Sequence, residues 1–131
     1  MTALSADLQR ELSALLGDGW LSDPSERLTY AYDNSRRESL PDAVALPTSR
    51  DQVQALVRAC FAHRVPVVAR GRGTNTTGAT VPIHGGVVVS FERMSRVIDI
   101  RPGDRCAVVE PGVLNGDLQA ALKPYGLFWP P

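Results

Sequence analysis

Val65-Pro66-Val67-Val68-Ala69-Arg70-Gly71-Arg72-Gly73-Thr74-Asn75-Thr76-Thr77-Gly78 is the stretch on which the fold turns. Five apolar residues read as a strand, and the strand ends where the glycines begin. Three glycines let the backbone turn sharply and visit positive φ, so that successive amide N–H groups can converge on one anion. The threonines and Asn75 add side-chain donors without adding charge. A phosphate or pyrophosphate suits such a loop. A mobile glycine–threonine connector is the other reading of the same residues. The position argues for a site, because loops at the carboxyl ends of parallel strands are where α/β sheets bind ligands.

Upstream, Ser49 and Gln52 have the spacing of a capping box, and Val53, Leu56, Val57, Cys60 and Phe61 follow at i, i+3, i+4, i+7 and i+8. His63 and Arg64 close that helix, where cations suit its C-terminus. Ala43-Val44-Ala45-Leu46 before it reads as a short buried strand, so strand, helix and strand form a parallel, right-handed βαβ unit. Downstream, Gly86 to Phe91 is a third apolar strand. Val97 to Ile100 and Ala107 to Glu110 flank Pro102-Gly103-Asp104 as an antiparallel pair.

At the N-terminus, Leu4, Leu8, Leu12, Leu15 and Leu16 predict an amphipathic helix stopped by Gly17. Asp23-Pro24-Ser25-Glu26 reads as a second helix start, with proline at the first helical position. Asn115 is the expected cap of a last helix through Leu118, Ala121 and Leu122. The fold class is therefore α/β (α+β overall). A small parallel βαβ sheet is flanked by helices and followed by the start of an antiparallel subdomain.

Composition narrows the function classes. The chain has 131 residues, 44% of them apolar, which is one domain's worth, or a piece of a larger protein, with enough apolar surface for a real core. Its 14 basic and 14 acidic residues balance, which argues against a nucleic-acid surface. No apolar stretch approaches the ~20 residues of a membrane span, and the default localisation is cytoplasmic. Cys60 and Cys106 show no metal or redox spacing and read as two buried thiols, and with His63 and His84 as the histidines a metal site is not expected. Asp99 and Glu110 need not form an acid–base pair, and His84 reads as solvent-exposed.

Two familiar nucleotide motifs fail here. A dinucleotide fingerprint needs a third glycine where Thr76 stands, and a strand rather than a helix follows the loop. A P-loop spacing runs from Gly73 to Gly78, but Ala79 occupies the lysine position.

From Thr29 to the end, the chain resembles FAD-linked oxidases of the vanillyl-alcohol-oxidase, PCMH-type superfamily, in particular the glycolate oxidase D-subunit and D-lactate dehydrogenase group. The resemblance is carried by Tyr32-Asp33-Asn34-Ser35, Ala45-Leu46-Pro47, Ser49 to Val53 and Val65 to Thr74. Gly85 to Ser90, Ile98-Asp99-Ile100 and Val109 to Val113 continue it. It implies a truncated PCMH-type FAD-binding domain, with a helical segment at 1–40 and the first part of that domain at 41–131. It implies that Arg70, Gly71, Arg72, Gly73, Thr74, Asn75, Thr77 and Gly78 hold the FAD pyrophosphate. Asn75 and Ala79 replace glycines common in relatives. Members that tether flavin through this loop use a histidine there, so non-covalent FAD is implied. Relatives continue beyond the point that matches Gly126 to Pro131, and their catalytic groups lie in that continuation. The resemblance thus implies part of a 2-hydroxy-acid oxidase or dehydrogenase, with no catalytic residue of its own. The remainder of the enzyme or companion subunits would be its partners.

Overall fold

A computed structural model of the chain describes residues 4–130. Helix α1 (Ala6–Leu16) begins at Ser5, whose hydroxyl accepts the Leu8 amide, and ends at Gly17. Strand β1 (Trp20–Leu21) and the single-turn helix α2 (Pro24–Arg27) follow. Asp23 caps α2 as its sequence predicts, accepting from Ser25 N. Then come β2 (Ala43–Ala45), α3 (Arg50–Ala62), β3 (Val67–Arg70), β4 (Val87–Ser90), β5 (Val97–Arg101), β6 (Cys106–Val109) and α4 (Asn115–Leu122).

Two sheets result. Four strands run in the order β1-β2-β4-β3, and β5 and β6 form a separate antiparallel pair. Strands β2 and β3 are both parallel to β4, with Val44 and Val68 each in register with Val88. The expected βαβ unit is present, but β4 is inserted between its two strands. Strand β1 pairs antiparallel with β2. The sequence reading missed β1, since Trp20-Leu21 is too short to show a strand period.

Alternation along the strands assigns the two faces of the larger sheet. Ala43, Ala45, Val87 and Val89 pack against Leu8, Leu12, Leu16, Leu56 and Cys60 of α1 and α3. Val44 and Val88 point the other way, toward Leu21, Tyr30 and Val68. Residues on either side of position 40 therefore share one hydrophobic core.

Three local expectations are corrected. Helix α3 buries Leu56, Ala59 and Cys60, while Val57 and Phe61 face outward, Phe61 at 85% exposure. The buried stripe is narrower than the periodicity implied, centred on the line from Leu56 to Cys60. The Ser49 hydroxyl does accept from Gln52 N, but the Gln52 side chain accepts from Thr48 N rather than closing back on Ser49. On α4, Leu114 rather than Asn115 is the capping residue, and no side chain accepts a bond there. Asn115 instead takes a bond from Gln119 within the helix.

Cys60 is buried as expected, whereas Cys106 is exposed. Cys106 was read as buried because it opens an apolar run, yet Cys106, Ala107 and Val108 of β6 are all exposed. Those three residues stay exposed, so an apolar run does not by itself become a core.

Candidate functional site

The glycine loop leaves β3 at Arg70, at the carboxyl ends of the parallel strands, and returns toward β4 after Gly78. Its amides are open. Among the described residues, Thr77 is the one residue from 71 to 77 whose amide N–H meets a protein acceptor, the Asn75 side chain at 3.1 Å. Six successive N–H groups, from Gly71 to Thr76, are thus free to bind from outside. A run of unpaired amides in a glycine-rich turn is the donor set an anion requires.

Two glycines close off the underside of this cradle. Gly73 has φ +68°, and a Cβ there would stand 2.1 Å from the Arg70 guanidinium. Gly78 has φ +80°, and its Cβ would meet Arg37 Cδ at 3.0 Å and Ser35 Oγ at 3.3 Å. A side chain at either position would be strained in backbone and would displace its neighbour.

The loop is held from two sides. On one, Asn34 donates its amide N–H to Asn75 O at 3.1 Å, and its side chain donates to Thr74 O at 3.1 Å. Asp33, buried beside it, accepts from Ser35 N at 2.8 Å and from the Thr80 hydroxyl at 3.2 Å. Hydrogen bonds from Ser35, and then Thr80, hold the Asp33 carboxyl below the usual carboxylate range despite the opposing effect of burial. Thr80 in turn accepts from the Asn75 side chain at 3.1 Å. On the other side, Arg72 Nε donates to Gly112 O at 3.0 Å. That turn is fixed by Glu110, a buried carboxylate that accepts from Arg96 N at 2.8 Å and from its guanidinium at 2.7 and 3.1 Å. The Arg96 guanidinium, more than any other contact, keeps the Glu110 carboxyl below its ordinary range.

Each residue expected at the site can now be placed. Gly71, Gly73, Thr74 and Asn75 present backbone N–H groups. Thr77 and Gly78 close the far end, with the Thr77 hydroxyl donating to Asn75 Oδ1 at 3.0 Å. Arg72 is exposed and tethered to Gly112. Arg70 is different. Its side chain is buried at 8% exposure and turned away from the open face, donating to Tyr32 O at 2.7 Å.

Sequence reasoning did not assign the residues that hold the loop, although the family resemblance runs through Asp33, Asn34 and Gly112. Asp33, Asn34, Thr80 and Gly112 act across 35 residues or more of chain, a separation no local pattern encodes. Arg37 was missed too; it is exposed, lies against Gly78 and, among the described residues, makes no ion pair. The available signal was the run Tyr32-Asp33-Asn34-Ser35, one of those that carry the family resemblance. Asp99 and Glu110 do not face each other: Asp99 bonds Arg101, and Glu110 bonds Arg96.

A second concavity lies apart from the loop. A groove of about 610 Å³ is bounded by Cys106 and Val109 of β6, Leu118 and Leu122 of α4, and Phe128 and Trp129. Its lining is largely apolar, which suits a polypeptide or another apolar surface better than a diphosphate.

Comparison with known proteins gives concordant results. Residues 41–131 match the family described as FAD binding domain. The chain is similar to the glycolate oxidase subunit GlcD of Bacillus subtilis, 37% identical over 130 residues, covering 98% of this chain and 28% of that protein. It is 37% identical over 122 residues to the D-2-hydroxyglutarate dehydrogenase of Stutzerimonas stutzeri, covering 92% of this chain and 26% of that one. Among solved structures it resembles p-cresol methylhydroxylase with substrate bound, with a TM-score of 0.78 and 29% identity, over 92% of this chain and 25% of that chain. The chain thus spans about a quarter of the length of the relatives it matches.

Proposed function

Since this chain belongs to the FAD binding domain family, we propose that the loop from Arg70 to Gly78 holds the pyrophosphate of FAD in a flavin-dependent oxidoreductase acting on a 2-hydroxy acid. The observation that carries this is the row of six free amides from Gly71 to Thr76 at the carboxyl end of β3. The donor set fits the group. Backbone N–H groups would meet the diphosphate oxygens, Thr74 and Thr77 lie along the loop, and Arg72 and Arg37 would supply positive charge at its rim. Bound flavin would supply the hydride-accepting chemistry, and this chain's part is to bind and orient it. Glycolate and D-lactate are the substrate type we infer, by analogy with the relatives.

The loop carries no histidine, which supports non-covalent binding. We place residues 41–131 in the flavin domain, with the largely helical segment before residue 41 packed into the same core, in a cytoplasmic protein. Among the described residues, no helix is long and apolar enough to cross a membrane. Titrating the chain with FAD tests the reading. Quenched flavin fluorescence and a raised melting temperature are expected, and both should vanish in Gly73→Val. No response in the unsubstituted chain, or equal FAD retention by Gly73→Val, would count against the loop.

A second reading is favoured by the apolar groove. Phe128 and Trp129, which line it, are exposed at 72% and 54%. In this reading a separate chain seats there and completes the flavin site. Gain of FAD affinity on adding such a chain, with none for this chain alone, would select it.

A further inference from the structure

The loop's only buried cation does not face the ligand side. Arg70 leaves β3 with its guanidinium directed under the loop, donating from Nη1 to Tyr32 O at 2.7 Å and to Thr80 Oγ1 at 3.5 Å, and from Nη2 to Thr29 O at 3.5 Å. Its Cζ lies 5.8 Å from the centre of the Tyr30 ring. It makes no ion pair among the described residues, and the nearest buried carboxylate in this network, Asp33, is reached through the Thr80 hydroxyl. A buried guanidinium held by backbone carbonyls and one hydroxyl is costly to desolvate, so its placement calls for a reason.

Gly73 supplies that reason. The space its Cβ would occupy is filled by Arg70, with Nη2 at 2.1 Å, Cζ at 2.3 Å and Nη1 at 2.7 Å. The flat guanidinium is the floor on which the Gly73 peptide rests. The glycine is required at this place as much by that floor as by its φ of +68°. Resting on the FAD reading for its ligand, we propose that Arg70 is a positioning residue. Its guanidinium, clamped to the segment from Thr29 to Tyr32, props the Gly73 turn so that the amides from Gly71 to Thr76 are pre-aimed before a diphosphate arrives. Preorganisation of this kind raises affinity by removing an ordering cost from binding. Lysine cannot replace it, having no planar fork to bridge two carbonyls and support a peptide at once.

The test uses ¹⁵N backbone order parameters of the FAD-free chain and FAD titration of the same samples, for Arg70→Lys, Gly73→Ala and the double variant. In the unsubstituted chain the amides at 71–76 should be nearly as rigid as β4, at order parameters of about 0.85, and in Arg70→Lys they should fall below about 0.6 while β4 is unchanged. The FAD dissociation constant should rise about tenfold in Arg70→Lys. Gly73→Ala should displace the guanidinium and loosen the same amides. Adding Arg70→Lys to it should then change little, since both act on one contact.

Order parameters at 71–76 that stay high in Arg70→Lys would overturn the proposal, as would loosening that simply adds in the double variant. Should Arg70→Lys disturb β4 as well, Gly73→Ala decides alone, with a rigid loop there being the contradicting result. A loop that loosens as described in a chain that never binds FAD would refute the ligand and leave the positioning role standing.

Discussion

Strands β4 and β6 are nearly interchangeable as sequence, Val-Val-Val-Ser against Cys-Ala-Val-Val, and they end up in opposite environments. All four residues of β4 are buried, while three of the four in β6 are exposed. The difference lies in what covers them. β4 is central in its sheet, paired on both sides, with α1 and α3 over one face and Tyr30 and Leu21 on the other. β6 has one partner strand and borders an apolar groove. A two-stranded pair has little stability of its own. The β5–β6 pair is anchored at its base instead, through Glu110 and the Gly112 turn that touches Arg72. The glycine loop sits where the two regions meet, held by Asn34 on one side and by Gly112 on the other.

That contrast can be broken or sharpened by substitution. The largest effect is expected at the layer over β4. Leu12→Ala, at a fully buried position, should cost about 2–5 kcal/mol in denaturant unfolding. A cost below about 1 kcal/mol would mean that α1 does not share the core.

At the base of the β5–β6 pair, Glu110 gives a pH signature. Arg96 lowers its folded pKa, so the unfolded chain takes up the proton more readily. Its stabilisation is complete above the ordinary glutamate value of about 4.3 and is lost as pH falls through the lower folded value. Glu110→Gln should therefore melt at a lower temperature than the unsubstituted chain at pH 7, and the two should converge in acid. Asp33, shifted in the same direction, leaves a residual acid dependence in that variant. Parallel melting curves across the pH range would contradict the role given to Glu110.

The two cysteines read the same contrast chemically. Burial pushes the Cys60 thiol up to about 11, and Cys106 is exposed. A thiol reagent at pH 8 should label one cysteine per folded chain, Cys106, and two after denaturation. Fast labelling of Cys60 would mean that α3 opens readily from the sheet. The smallest effect belongs to β6 itself. Val108→Ser, at a position 41% exposed, should change stability by no more than about 0.5 kcal/mol.

These differences also explain how much was legible beforehand. The elements from Ser49 to Ser90 follow from capping, periodicity and β-branched runs, all of them local signals, and the loop announced itself by its glycines. Strand order was not legible, because nothing in Val87-Val88-Val89 says that it inserts between β2 and β3. The burial of Cys106 was misjudged, since an apolar run specifies a strand and leaves open whether anything covers it. At the site, residues 70–78 were marked out as a group, but the division of labour within them was not. That Arg70 faces inward depends on carbonyls of Thr29 and Tyr32, about 40 residues upstream and placed only by the tertiary fold.

The central claim is that the loop, and not the apolar groove, receives the diphosphate of FAD. An amide-resolved NMR titration with FAD addresses it most directly. The account predicts the largest shifts at the amides from Gly71 to Gly78, with Cys106, Leu118 and Trp129 unmoved. Shifts concentrated along that groove, with the loop silent, would contradict it.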